Sequence, residues 1–245
     1  MGEIIAVLSG KGGTGKTTIC AGVATALAQS GCSVLCIDCD MGLQNLDIPL
    51  GMSDSGAISF LDVAKGDYEL WQAASHPRLE GLSFLTAPIH CKPEDVEPEA
   101  FRSLLEQAKK SFDYVFLDAP AGIDAGFELA ARNAQRILLV TSADPGAVRD
   151  AQRAGQKLEQ MGKTGVRLVV NRVNKRLFSS LSKTVDDIMD ETGLPLLGLV
   201  PEDSNVILSA AVGQPLIFYS HRGASRAMEA IAKRIRGLNI PLSVR

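Results

Sequence analysis

The sequence predicts an α/β protein with a doubly wound, mostly parallel sheet flanked by helices. Three observations carry that reading. Apolar runs such as residues 33–38 and 114–118 lack polar alternation, as strands buried on both faces do. These runs alternate with helix-patterned stretches, which implies right-handed βαβ crossovers. The first run also opens into a glycine cluster immediately before the first helical pattern.

Taken in order, residues 4–9 form the first strand run, and a helical pattern covers 17–30 and stops at Gly31. Residues 33–38 are the second run. Further strand runs are 82–86, 114–118, 136–141, 166–171 and 196–200. Helical patterns lie near 98–110, 125–133, 146–161, 180–192, 204–212 and 222–236. Residues 40–56 and 90–98 read as loops. No repeat or linker divides the chain, so residues 1–245 read as one domain.

The 245 residues can bury a sizeable core without staples. No run of about 18 apolar residues suits a spanning helix, and no basic segment opens a secretory signal. The net charge of −3 gives no global basic footprint for nucleic acid. Five cysteines, an odd number without a signal peptide, fit reduced thiols in the cytoplasm.

The chemistry begins at Gly10-Lys11-Gly12-Gly13-Thr14-Gly15-Lys16-Thr17, which matches G-x-x-x-x-G-K-[ST] between a strand and a helix. Glycines let consecutive N–H groups turn toward one anion, and the helix N-terminus adds its positive dipole. Lys16 would neutralise the β- and γ-phosphates, and the Thr17 hydroxyl would bind Mg²⁺. Lys11 is a second lysine inside the loop. It is either a solvated surface residue or a charge that reaches a phosphate from a neighbouring subunit.

Asp38 and Asp40 end the second strand run, at the carboxyl end where ligands of such sheets sit. One carboxylate would order a Mg²⁺-bound water and the other would position the attacking water. Capping of local N–H groups is the plainer alternative. Asp118 ends an apolar strand, the Walker B form, with its carboxylate toward Mg²⁺. Pro120 and Gly122 then set a turn able to respond to a γ-phosphate. Asn171 also ends a strand, and its amide can match an adenine edge or form a turn. No guanine-type N-K-x-D follows it. Pro201, Glu202 and Asp203 form a second loop on that side, where Asp203 can cap the next helix.

Residues 10–18, with Lys11 and Thr18, resemble the deviant Walker A signature of the MinD/ParA family of ATPases. Residues 38–47 resemble the switch I pattern D-x-D-x-G-L-x-N-L-D of its division-site members, and residues 118–123 their switch II pattern D-x-P-A-G-I. Residues 170–173 and 200–203 resemble the family's base-binding loops. The resemblance implies an ATPase with ATP and Mg²⁺, working as an ATP-sandwich homodimer in which Lys11 contacts the partner's nucleotide. It ties Asp40 to hydrolysis, leaving Asp38 with Thr17 and Asp118 on the metal side, and places Asn45 and Asp47 on a nucleotide-sensitive surface. Family members often carry arginine where this chain has Gln44.

A role in placing the division site follows, with a division-inhibitor or activator protein and an anionic membrane as partners. That would put the chain in the cytoplasm and at the inner face of the membrane. A DNA-segregation ATPase on nucleoid DNA and a regulator of flagellar number share these motifs.

Weaker signals stand apart. Cys36 and Cys39 form a C-x-x-C, but residues three apart on a strand point to opposite faces. His76, His90 and His221 lack metal-ligand spacing, and Trp71 reads as packing. The C-terminal segment is basic: Arg222, Arg226, Lys233, Arg234, Arg236 and Arg245 stand against Glu229 alone. Ala224, Met228, Ile231 and Ile235 can share one helical face. The opposite face is either solvated or meets anionic lipid or DNA. Family members usually add a membrane-binding amphipathic helix, which Pro241 and the short remaining length do not favour here.

Overall fold

A computed structural model describes residues 2–89, 91–174 and 184–242. His90, residues 180–183 of one helical pattern, and Arg245 lie outside the described residues. The strands are β1 (Glu3–Leu8), β2 (Val34–Asp38), β3 (Ala74–Ser75), β4 (Leu82–Leu85), β5 (Tyr114–Asp118), β6 (Arg136–Ser142), β7 (Val166–Val173) and β8 (Leu196–Pro201). They form one sheet in the order β3-β4-β2-β5-β1-β6-β7-β8. Every pairing is parallel except that of β3 with β4.

The helices are α1 (Lys16–Gln29), α2 (Asp47–Leu50), α3 (Phe60–Lys65), α4 (Pro98–Ser111), α5 (Ala125–Asn133), α6 (Pro145–Gln160), α7 (Val185–Thr192), α8 (Asn205–Ala211), α9 (Leu216–Tyr219) and α10 (Gly223–Ile235).

Strand β1 lies at the switch point of this topology. The chain leaves β1 for β2 on one side of it, and later crosses from β5 over β1 to β6. Loops from β1, β2 and β5 therefore converge at one carboxyl-end crevice, where open α/β sheets bind ligands. Alternate residues along β1 feed two cores: Ile4, Ala6 and Leu8 face α4, α5 and α6, whereas Ile5 and Val7 face α1 and α10. Both faces are covered, which explains the unbroken apolar runs.

Helix α1 is buried along most of its length because α10 closes over it. A Cβ at Gly22 would lie 2.0 Å from the Met228 sulfur, so a larger residue there would displace the Met228 side chain. The expected apolar face of α10 is buried in full at Ala224, Met228, Ile231 and Ile235. Cys36 and Cys39 enter cores on opposite faces of the sheet, and all five cysteines are free thiols. Among the described residues, no helix is long and apolar enough to cross a membrane.

Candidate active site

The loop between β1 and α1 owes its shape to its glycines. Gly13 and Gly15 have φ of 79° and 86°, in the left-handed region that side chains disfavour. Gly15 is also the residue preceding α1, without any side-chain cap. The N–H groups of Gly12, Gly13, Thr14 and Gly15 have no backbone acceptor among the described residues. The loop is braced from beneath by Asn171, whose Nδ2 donates to the Thr14 carbonyl at 2.8 Å. That contact is close enough that a Cβ on Gly15 would sit 2.2 Å from the same nitrogen.

Two buried charges form the floor. Lys16 Nζ is 2.8 Å from Asp118 Oδ1, with 7% and 1% of the two side chains exposed. Burial works against the Lys16 charge, but the charge and hydrogen bond of Asp118 outweigh it and hold its pKa above the ordinary value. Burial also pushes the Asp118 carboxyl upward, with Lys16 and Thr17 opposing. Lys16 Nζ lies 3.4 Å from the Thr17 hydroxyl as well.

Asp38 stands in register beside Asp118 on the neighbouring strand. Its two oxygens accept from the N–H groups of Asp40 at 2.8 Å and Leu46 at 3.1 Å. It thus staples both ends of the loop after β2. Burial, then the nearby Asp118 charge, pushes its carboxyl up to about 7. Asp40 is half-buried at the cleft, and its Oδ1 accepts from Gly42 and Leu43 N–H at 3.2 Å each.

Lys11 does something different. Its Nζ pairs with Asp144 Oδ1 at 3.1 Å, with 47% and 56% of the side chains exposed. Asp144 also caps α6 by accepting from Ala147 N–H at 3.0 Å. That cap, then Lys11, holds its pKa below the ordinary value.

A cleft of about 210 Å³ joins the loop residues Gly12, Gly13, Thr14, Gly15, Lys16 and Thr17 to Asp40, Asn45 and Asp118. Asp38 and Asn171 lie behind its walls rather than in its lining. Pro201, Glu202 and Asp203 are not among its lining residues. Asp203 accepts from Asn205 N–H at 2.9 Å and Ala224 N–H at 3.0 Å, tying the start of α8 to that of α10. Glu202 accepts from Asn174 Nδ2 at 3.1 Å.

Sequence reasoning gave no individual role to four wall residues, Ser9, Leu43, Ala121 and Arg172, and missed the rim residue Asp144. Arg172 has φ of 53° where the pairing of β7 with β8 slips out of register. No local sequence signal marks that bulge. Asp144-Pro145 at the end of β6, a cap residue before proline, was a usable signal.

These residues fit a nucleotide's phosphates with a hard divalent cation. One wall offers N–H groups and a lysine to an anion. Asp118 already receives a cation, and with the Thr17 hydroxyl it forms an all-oxygen donor set of the kind Mg²⁺ takes.

Comparison with known proteins agrees with this chemistry. A profile of the family described as "CobQ/CobB/MinD/ParA nucleotide binding domain" matches residues 5–216. The chain is 38% identical to the septum site-determining protein MinD of Synechocystis sp., over 98% of this chain and 92% of that protein. It is 37% identical to MinD of Bacillus subtilis, over 100% and 92%. It superposes on MinD in the MinC:MinD cell division protein complex of Aquifex aeolicus with a TM-score of 0.91, 33% identity and 98% coverage of both chains. MinD of Pyrococcus horikoshii complexed with Mg-ADP gives a TM-score of 0.82 at 27% identity, covering 96% of each chain. With residues 5–216 matched by the family profile and 37–38% identity to MinD proteins over nearly its whole length, the chain belongs to the MinD/ParA family of nucleotide-binding proteins, in its MinD branch.

Proposed function

We propose that the chain is a Mg²⁺-dependent ATPase of the MinD type, an ATP-controlled dimerisation switch in division-site placement. It would act as one unit across residues 1–245. The observation that carries this reading is the division of labour between two lysines of one loop. Lys16 is buried at the floor against Asp118, whereas Lys11 stands exposed at the rim. A loop that only wrapped its own nucleotide would use the second charge at the rim for no more than the exposed pair with Asp144. A loop that completes a partner's site would.

In this reading the N–H groups of residues 12–15 and the α1 N-terminus hold the β- and γ-phosphates. Lys16 exchanges Asp118 for phosphate oxygens. Thr17 and Asp118, backed by Asp38, would hold Mg²⁺, which neutralises charge on those phosphates when bound. Asp40 positions a water in line with the γ-phosphorus. The new O–P bond forms as the bond to the bridging oxygen breaks, and ADP leaves with that electron pair. Asn171 keeps its carbonyl oxygen available to the adenine amine, and Pro201 shapes the base side. Lys11 must leave Asp144 to reach the opposite site, so dimerisation breaks one exposed ion pair in each subunit.

The Aquifex likeness supports a cell-division protein, of the division-inhibitor or activator kind, as a further partner. The exposed cations Arg222, Arg226, Lys233 and Arg236 recur on one side of α10 and support an anionic surface as another. We favour membrane at the inner face of the cell. Nucleoid DNA is the competing surface.

ATP turnover by wild type and Lys16→Ala tests the enzyme; turnover that survives the substitution sinks the assignment. Asp40→Ala should accumulate as an ATP-bound dimer by light scattering, and a monomer at saturating ATP rejects the sandwich. Co-sedimentation with anionic vesicles against binding to non-specific DNA, each with ATP and with ADP, decides the surface.

A further inference from the structure

We infer that Gln44 is a positioning residue for hydrolysis, because its side chain tethers the loop after β2 to the loop after β4 and so fixes Asp40. The part concerning hydrolysis rests on the ATPase reading above. Strands β2 and β4 are parallel neighbours, so the loops leaving their carboxyl ends run side by side. Gln44 Nε2 donates to the Pro88 carbonyl at 3.0 Å and bridges them. Among the described residues, no other side chain of residues 41–45 makes a hydrogen bond to another segment.

The turn closes on Asp40. Gln44 N–H donates to the Asp40 carbonyl at 3.1 Å, and Asp40 Oδ1 receives the N–H groups of Gly42 and Leu43. The carboxylate is therefore held by the turn; Asp38 holds the backbone at Asp40 and Leu46, and the Gln44 amide ties the stretch between them to the neighbouring loop. Gln44 also has φ of 49°, a conformation its side chain disfavours, so the bonds within the turn and the Pro88 anchor together must hold it there. The anchor lies beside a cleft of about 610 Å³ that Pro88 and Ile89 help line, which places the tether between that cleft and the phosphate site.

Gln44→Glu is nearly isosteric but has no N–H for the Pro88 carbonyl. Gln44→Arg keeps donors on a longer stem. The tether predicts that Gln44→Glu lowers kcat about tenfold, as small misplacements of reacting groups do. KM for ATP and the thermal midpoint should stay near wild type. Gln44→Arg should keep kcat within about twofold of wild type, since its donors preserve the positioning. A Gln44→Glu enzyme with wild-type kcat overturns the inference. So does a loss matched by KM or by melting, or an equal loss in Gln44→Arg.

Amide exchange in nucleotide-free protein tests the tether without ATP turnover. Gln44→Glu should speed exchange across 41–46 and 86–89, and Gln44→Arg should not. Unchanged exchange rejects the tether, whereas absent wild-type turnover rejects the ATPase reading alone.

Discussion

The floor and the rim of the cleft are built from the same residue types and held in opposite ways. At the floor, Lys16 and Asp118 meet at 2.8 Å with almost no exposure. At the rim, Lys11 and Asp144 meet at 3.1 Å with about half of each side chain in water. A buried pair cannot lose one member without stranding a charge. An exposed pair can part at little cost, because water replaces each partner. The difference teaches which lysine is fixed in the floor of the cleft and which can leave its partner at the rim.

The largest test of that contrast is Asp118→Ala. It takes away the counter-charge hydrogen-bonded to the buried Lys16 ammonium and leaves only the weaker pull of Asp40, which should cost about 3–5 kcal/mol of stability. Urea denaturation of the nucleotide-free protein would measure it. A loss below about 1 kcal/mol would place the floor pair among ordinary surface pairs and erase the contrast.

Next in size is the pH dependence set by Asp38, the staple between floor and rim. Its carboxyl lies at about 7, against 3.8 for an ordinary aspartate. Between those values the folded chain binds a proton that the unfolded chain does not. Stability from this group is therefore present at low pH and is lost as pH rises through about 7. The loss should reach a few kcal/mol, at about 1.4 kcal/mol per unit. Asp38→Asn should remove that component of the slope, seen in urea midpoints measured from the ordinary carboxylate value of 3.8 up to about 7. A variant with the wild-type slope would mean that Asp38 does not titrate there.

Asn171→Ala should come third, at about 1–3 kcal/mol, because it leaves the Thr14 carbonyl without its buried donor. For a chain of this length, that corresponds to a few degrees of melting temperature per kcal/mol. The substitution should also loosen the phosphate loop and weaken ADP binding, measured by titration calorimetry. Unaltered ADP affinity would separate the brace from the binding site.

Asn171 shows what was legible in the sequence and what was not. Its place at a strand end near the loop could be read from the pattern. Its bond to the Thr14 carbonyl could not, because the two lie 157 residues apart and meet only after β1, β6 and β7 have paired. The seven parallel strands were readable because burial on both faces leaves unbroken apolar runs. The short elements were not: α2, α3 and α9 have four to six residues, too few to show a helical stripe. The glycine loop was readable because phosphate chemistry restricts it residue by residue. Asp144 escaped notice because a lone aspartate before a helix is usually only a cap, and its second task depends on β6 lying beside β1.

The smallest effect on stability is the most demanding of the floor–rim contrast. Lys11→Ala removes an exposed pair, so folding stability should change by no more than about 0.5 kcal/mol. Asp144 would keep its bond from Ala147 N–H, so α6 should retain its cap. Yet the same substitution should abolish ATP-dependent dimers by light scattering and lower turnover about a thousandfold, the scale of a lost trans-acting charge. Nucleotide affinity of the monomer should stay near wild type, since Lys16 and the loop N–H groups remain. If Lys11→Ala instead unfolds the protein, the rim is a second floor. If it leaves dimerisation and turnover intact, the exposed lysine is a solvated side chain and the shared site must be built from other residues.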